Sequence, residues 1–394
     1  MALINRVAAF QDRMVQWRHD LHAHPETAFE ERRTGRLVAD TLRSLGIEVH
    51  EGLAGTGVVG TLRGALGEGE GEAIGLRADM DALHLAEKNT FSHASTVPGK
   101  MHGCGHDGHT AMLLGAAAYL AETRNFAGRV HFIFQPAEEN EGGGRVMVEE
   151  GLFRQFPVRA VFGMHNWPGL PAGTFAIRPG PMMAAYDMFE MNITGRGSHG
   201  AMPHQSVDPV TIAAQVVLAL QTIVSRKVSP LDAAVLSVTR IKGGDTWNVV
   251  PDDVMLGGTV RTFRREVQDF IEAEVGRIGK GIAEAHGARM QLRYERRYPA
   301  TINTESESAL AASVAAELVG PDRVHGHLEP STASEDFAFM LQARPGCYVW
   351  LGNGISEQGY MLHNPHYDFN DEILAIGASY WVRLVEKALE RRGS

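Results

Sequence analysis

Short apolar runs that break abruptly into polar clusters recur along the first half of the chain. Residues 73–76 lead into Arg77-Ala78-Asp79-Met80-Asp81, residues 130–134 into Gln135-Pro136-Ala137-Glu138-Glu139, and residues 161–164 into His165-Asn166. Each run is too short for a buried helix and has no polar alternation, so each predicts a strand covered on both faces that ends in a loop. A helical stretch over 110–122 lies between two of them. The order strand, helix, strand predicts an α/β domain with a mixed, mostly parallel sheet. In such sheets ligands gather beyond the carboxyl ends of the strands, where these polar clusters fall. At the amino end Leu3, Val7, Phe10, Met14, Trp17 and Leu21 recur at spacings of four and three, predicting one amphipathic helix that stops before Pro25.

The pattern changes between about 185 and 299. It reads as a strand over 188–194, a helix over 209–225, strands over 233–242 and 254–263, a helix over 266–286 and a strand over 288–296. This split βαβ order predicts an inserted ferredoxin-like α+β domain. A helix over 306–318 and a buried strand over 347–351 then resume the first pattern. The predicted division is therefore 1–185 plus 300–394 for one domain and 186–299 for the insert. The glycine-rich segment 64–71 reads as an exposed loop.

Composition narrows the function. The 394 residues are 44% hydrophobic, ample for two cores, and 47 acidic against 37 basic residues leave a net charge of −10, which opposes nonspecific binding to nucleic acid. The longest apolar run, 111–121, falls short of the roughly 18 residues that span a bilayer. No basic stretch followed by an apolar core opens the chain, and two cysteines give no disulfide framework. A cytoplasmic protein with small-molecule partners, and neither membrane nor nucleic acid among them, is expected.

The densest chemistry lies in MHGCGHDGH, residues 101–109, with one thiol and three imidazoles. Thiolate and imidazole are the donors that borderline-soft divalent ions such as zinc prefer. Cys104 and His106 precede the predicted helix, whose positive amino end would favour a thiolate. The competing reading makes Cys104 a buried apolar residue among solvated histidines. His102 and His109 are expected to pack or hydrogen-bond. Glu138 and Glu139 are adjacent, so an extended segment would point them in opposite directions, one toward a metal and one toward a bound water. That division suits metal-assisted hydrolysis, in which an ion lowers the pKa of water from about 15.7 to about 7 and a carboxylate carries the proton to the leaving amine. His165 ends a predicted strand and His363 lies in a turn-rich tail loop. With Cys104, His106 and Glu139 they make five donors, too many for one tetrahedral ion, so two ions sharing a ligand, with the thiolate as bridge, is the economical arrangement.

MHGCGHDGH, QPAEENEGGG, MHN, GRGSHGAMPH, NVVP, GTVRTF and LHNPHYDF stand in an order that resembles M20-type metallopeptidases. The similarity is to the branch of N-acyl-amino-acid amidohydrolases that includes hippurate hydrolases, N-acetyl-amino-acid deacetylases and indole-acetyl-amino-acid hydrolases. It implies a zinc-exopeptidase-like catalytic domain with an inserted lid or dimerisation domain, and a homodimer or higher homo-oligomer. It implies two divalent ions (zinc, manganese, cobalt or nickel) held by Cys104, His106, Glu139, His165 and His363, with Glu138 as general base. Most of the wider family has a histidine ligand at the Asp79 position and an aspartate where His106 stands; this branch shares the change, with Cys104 compensating. By the same resemblance Asp81 orients the site, His199 stabilises the oxyanion, and Asn248 and Arg261 hold the substrate's carbonyl or carboxylate. His22, His24 and His204 are expected to be structural. The implied reaction is hydrolysis of N-acyl L-amino acids to a carboxylic acid and a free amino acid. A metal-dependent dipeptidase or carboxypeptidase, and a hydrolase using Cys104 as nucleophile, are the alternatives.

Overall fold

The structure, a computed structural model, describes residues 3–67, 72–139, 141–355 and 358–391. The chain forms two compact units: residues 1–182, 302–329 and 336–394 make one, and residues 183–301 with 330–335 make the other. Part of the glycine-rich segment, 68–71, lies outside the described residues.

The first unit is built on strands β1 (Glu48–Leu53), β2 (Gly57–Arg63), β3 (Ala73–Asp79), β4 (Arg129–Gln135), β5 (Ala160–Pro168) and β6 (Phe175–Ala176), joined by Val324–His325 and Gly346–Gly354. Their order across the sheet is β1, β2, β4, β3, β5, Gly346–Gly354, β6, Val324–His325. The four central strands run parallel, while β1, β2 and β4 pair antiparallel, so the sheet is mixed. Every residue of β3 is buried, and all of β4 except its first, as covering on both faces requires. Parallel register sets Asp79 opposite Gln135. The segments after β3 and β4, with Asp81 and Glu138, therefore leave the sheet at one edge.

The helix His106–Thr123 is buried almost all round, as befits a core helix. Met14 explains the glycine at 115, since its sulfur lies 2.3 Å from where a Cβ would stand. The helix begins at His106 rather than near 110, because Gly105, at φ 95°, turns the chain directly into it. The predicted amino-terminal helix is instead two, Asn5–Ala8 and Gln11–Ala23. The Phe10 amide bonds to Val7 O, one residue short of the α-helical partner, which breaks the ladder there. Its apolar face survives, with Val7, Met14 and Leu21 fully buried.

The second unit has a four-stranded sheet in the order Ala234–Lys242, Asp253–Thr262, Ala185–Thr194, Arg289–Tyr298, all antiparallel, with helices Pro209–Arg226 and Arg265–Ala285. Read by chain position the order is second, third, first, fourth, the ferredoxin-like arrangement. Ala185–Thr194 alternates buried and outward residues, so one face of the sheet carries the core. Asp208 caps the helix Pro209–Arg226 by accepting from Val210 N at 2.9 Å. Among the described residues this is the one helix long and apolar enough to cross a membrane. Contiguous apolar runs missed it because Thr211 and Gln215 interrupt the sequence. Here Ile212, Val216, Leu220 and Ile223 line up on one face and join the core.

Candidate metal centre

The first unit gathers titratable side chains from several segments at the carboxyl edge of β3, β4 and β5. Cys104, His106 and His165 each bring one donor atom within 4.8 Å of the others, and Cys104, Glu139 and His363 do the same. The five residues thus form two triplets that share the thiol. His106 also groups with Glu138 and Glu139, and with Asp79 and His109.

Backbone shape decides how the glutamates are aimed. Extended backbone was expected at 138–139, with the two side chains diverging, but Ala137 adopts φ 55° and the segment is a turn. Both carboxylates consequently reach His106. His363 is also left-handed, at φ 64°, with its amide on Gly103 O at 2.8 Å. Non-glycine residues in this region carry a conformational cost, and such outliers cluster at functional sites.

His106 and His165 are each oriented by their second nitrogen, as ligand histidines are. His106 Nδ1 lies 2.8 Å from Asp81 O and 3.2 Å from Asp81 Oδ1, leaving Nε2 for the cluster. His165 Nδ1 donates to Asn166 O at 2.6 Å, leaving Nε2 3.4 Å from Cys104 Sγ. Asp81 Oδ2 accepts from the Glu139 amide at 2.9 Å, so one carboxylate fixes two of the donor residues. His109 spans Asp79 Oδ1 at 2.6 Å and Asn166 Oδ1 at 2.8 Å. His102 is buried with both ring nitrogens unbonded, and burial pushes it down to about 3, so it stays neutral.

A second network escaped the sequence reading. The fully buried Arg77 donates to Asp79 at 2.7 Å, Gln135 at 2.8 Å and Asp336 at 3.0 Å. Asp336 in turn accepts from Gln135 Nε2 and Gly144 N, both at 2.7 Å, and its own amide lies 3.4 Å from Glu138 Oε1. The sequence reading set Arg77 in the polar cluster beyond the apolar run, whereas β3 continues to Asp79 and buries it.

The field at the cluster is strongly negative. Burial opposes the charged form of His106, yet Asp79, Asp81 and Glu139 push it up to about 10. Burial, then Glu139, Glu138 and Asp79, hold the Cys104 thiol well above its usual range. Burial and the nearby acids thus oppose the helix end, and a bound cation would be what makes Cys104 a thiolate. Asp79, although buried, is kept well below the usual carboxylate range by His106, Arg77 and His109. The residues fit a pair of cations. His106 Nε2 and Glu139 Oε1 are buried without a hydrogen bond, and Glu139 Oε1 stands 3.1 Å from His363 Nε2 outside bonding geometry, as two donors to one ion would. A buried polar atom left unpaired costs about 1–3 kcal/mol.

The second unit holds the other three predicted residues. Ser198–His199 pairs with Val249–Val250, which sets His199 opposite Val249, and Gly200 N bonds to Asn248 O at 2.7 Å. Both His199 and Asn248 are exposed. His199 Nδ1 accepts from Ala201 N at 3.0 Å, so the neutral ring carries its proton on Nε2. Arg261 lies on the sheet face opposite the core, its guanidinium carbon 3.9 Å from the centre of the Tyr186 ring. It lines a pocket of about 420 Å³ with Tyr186, Met188, Thr239, Arg240 and Arg293. Its Nη1 is buried and unbonded. His204 is exposed in a short turn, and His22 bonds Asp107 at 2.8 Å and Glu87 at 3.1 Å beneath the core helix.

Residues 75–387 match Peptidase family M20/M25/M40. The chain is 40% identical over 390 residues to the hippurate hydrolase of Campylobacter jejuni, covering 99% of this chain and 100% of that one. It is 39% identical over 384 residues to an N-acetylcysteine deacetylase of Bacillus subtilis, covering 97% and 98%. Among solved structures it resembles a dinuclear metal-binding peptidase of the M20 family from B. subtilis, with a TM-score of 0.84, 36% identity and coverage of 97% and 99%.

Proposed function

Because this chain belongs to Peptidase family M20/M25/M40, we propose that it hydrolyses the amide bond of N-acyl L-amino acids with two bound divalent ions, releasing a carboxylic acid and a free amino acid. The observation that carries this reading is the pair of donor triplets sharing Cys104. Cys104, His106 and His165 would hold one ion, and Cys104, Glu139 and His363 the other. A thiol, imidazole and carboxylate set suits zinc, manganese, cobalt or nickel. When bound, the ions supply Lewis acidity that polarises an acyl carbonyl and lowers the pKa of water.

The chain's own residues divide the remaining work. Glu138 takes the proton from the attacking water and later delivers it to the leaving nitrogen. Asp81 fixes the ring of His106 and the amide of Glu139. His199 donates its Nε2 proton to the developing oxyanion. Asn248 and Arg261 hold the carbonyl and carboxylate of the amino-acid part, for which a planar guanidinium with an unbonded nitrogen is suited. In this reading Cys104 is taken up as the shared ligand, which leaves it no role as nucleophile. Two free, buried cysteines agree with a cytoplasmic enzyme. The exposed edge strand Ala234–Lys242, with Ile241 63% exposed, and Leu218 at 72% on the outer face of Pro209–Arg226, favour pairing with a second copy.

Glu138→Gln tests the assignment. It should keep both ions while turnover falls about 10²- to 10⁴-fold. Wild-type turnover with the ions in place would remove Glu138 from the mechanism. Dialysis against a chelator should abolish activity and added zinc, manganese, cobalt or nickel restore it; indifference to the chelator would favour a thiol hydrolase.

A further inference from the structure

Glu31 stands outside the donor cluster, yet it is completely buried and its hydrogen bonds lead to the catalytic turn. Its Oε1 accepts from Ala137 N at 2.9 Å and from Phe29 N at 3.0 Å, and its Oε2 from the Thr56 hydroxyl at 2.7 Å. Both amides belong to left-handed residues, Phe29 at φ 60° and Ala137 at φ 55°. Such a conformation is disfavoured for a residue with a Cβ and persists only when its surroundings hold it. Ala137 immediately precedes Glu138. The other side of its peptide is closed by Gly143 N on Ala137 O at 2.9 Å, and at Gly143 a Cβ would meet Pro136 O at 1.8 Å. The turn is thus clamped from two sides, and the carboxylate of Glu31 is one jaw. Burying an acid near a second acid, Asp81, is unfavourable for folding, so the arrangement asks for a reason beyond packing.

We infer that Glu31 is a positioning residue for the hydrolysis, aiming the carboxylate of Glu138 through the amide of Ala137. The inference rests on the reading of Glu138 as general base. Removing the acceptor leaves the Ala137 amide buried and unpaired, and the turn relaxes toward ordinary backbone. Glu138 then keeps its chemistry and loses its aim.

The test is a kinetic cycle on metal-loaded enzyme with hippurate as probe, comparing wild type, Glu31→Ala, Glu31→Gln, Glu138→Gln and the double variant Glu31→Ala/Glu138→Gln. For Glu31→Ala, kcat should fall about 10- to 100-fold, the range for groups that support a metal site from outside, with KM within about twofold and two ions still bound. Glu31→Gln should recover most of the rate, because its amide oxygen can accept from both backbone amides. In the Glu138→Gln background Glu31→Ala should cost nothing more. Full kcat in Glu31→Ala, loss of bound metal, or an undiminished further loss in the double variant would each overturn the inference. Wild-type turnover of Glu138→Gln is a separate failure, of the base assignment itself. A denaturation cycle gives a readout independent of activity. The midpoint lost by Glu31→Ala should be smaller when Ala137→Gly is also present, since glycine needs no help to stay left-handed. An equal loss in both backgrounds also overturns it, and if Glu31→Ala alone does not fold, failure of Ala137→Gly to rescue folding does the same.

Discussion

In the first unit the candidate residues, apart from the exposed His363, are buried or half-buried and tied to one another: Asp81 holds His106 and Glu139, and Arg77 holds Asp79 and Asp336. In the second unit His199 and Asn248 stand exposed on a short ribbon, and Arg261 rests on Tyr186 with a nitrogen unbonded. The difference follows from what each group must bind. Donors to a resident cation repel one another without it and need a scaffold that fixes them in advance. Donors to a passing substrate must be free when it arrives. Damage to the first set should therefore appear as lost stability, and damage to the second as lost catalysis alone.

Arg77→Met gives the largest expected effect. It leaves Asp79 and Asp336 buried without their cation, and breaking a buried pair of this kind costs about 3–5 kcal/mol, to be read from urea unfolding. A variant as stable as wild type would erase the contrast between the units. His199→Ala should lower kcat by about 10²- to 10³-fold, equivalent to about 2.7–4 kcal/mol of transition-state stabilisation, with an unchanged melting temperature because the side chain is exposed. A drop in melting temperature of the same scale as for Arg77→Met would contradict the division.

His22 adds a pH signature to the first unit. Burial opposes its charge, but Asp107 and Glu87 push it up to about 9. Since folding raises it above the unfolded value of about 6.5, its contribution is complete below that pH and disappears as pH rises through about 9. The stability difference between wild type and His22→Gln should shrink across that window, by no more than about 3 kcal/mol. A constant difference from pH 6 to 10 would show that His22 is uncharged when folded. Arg261→Lys should act most mildly. KM for an N-acyl amino acid should rise by about tenfold, from lost bidentate hydrogen bonds worth about 1.5–3 kcal/mol, while KM for the corresponding amino-acid amide stays put. Equal changes for both would remove the carboxylate from the account.

The sequence carried the cluster because Glu139 and His165 follow apolar runs broken by polarity, while Cys104 and His106 stand at the start of a helix and His363 in a turn-rich loop. Cys104, His106, Glu139, His165 and His363 could be named before any coordinates, and the structure brings them together. What was hidden depends on side-chain direction and on backbone that residue type does not forecast. Alanine gives no hint of the left-handed turn at 137, and Glu31, more than a hundred residues away, looks like one acid among several in a polar stretch. The same limit applies to Cys104: the burial and the acids that oppose its helix-end position come from distant segments. In the second unit the strand expected over 188–194 runs from Ala185 to Thr194, its residues alternating because one face of the sheet is turned from the core. The amino-terminal break near Phe10 left no mark on the periodicity, because both helices present the same face.

The parallel pairing of β5 with Gly346–Gly354 brackets the whole second unit within the first. On a ribosome the apolar strands β3, β4 and β5 are made early, and about 180 residues must follow before their missing neighbour emerges, roughly 10 to 35 seconds at ordinary elongation rates. His363 arrives later still. The nascent chain is therefore sticky before it is active, so its yield in a cell should depend on chaperone supply during synthesis, and filling of the triplet that includes His363 can only be a late step in its maturation.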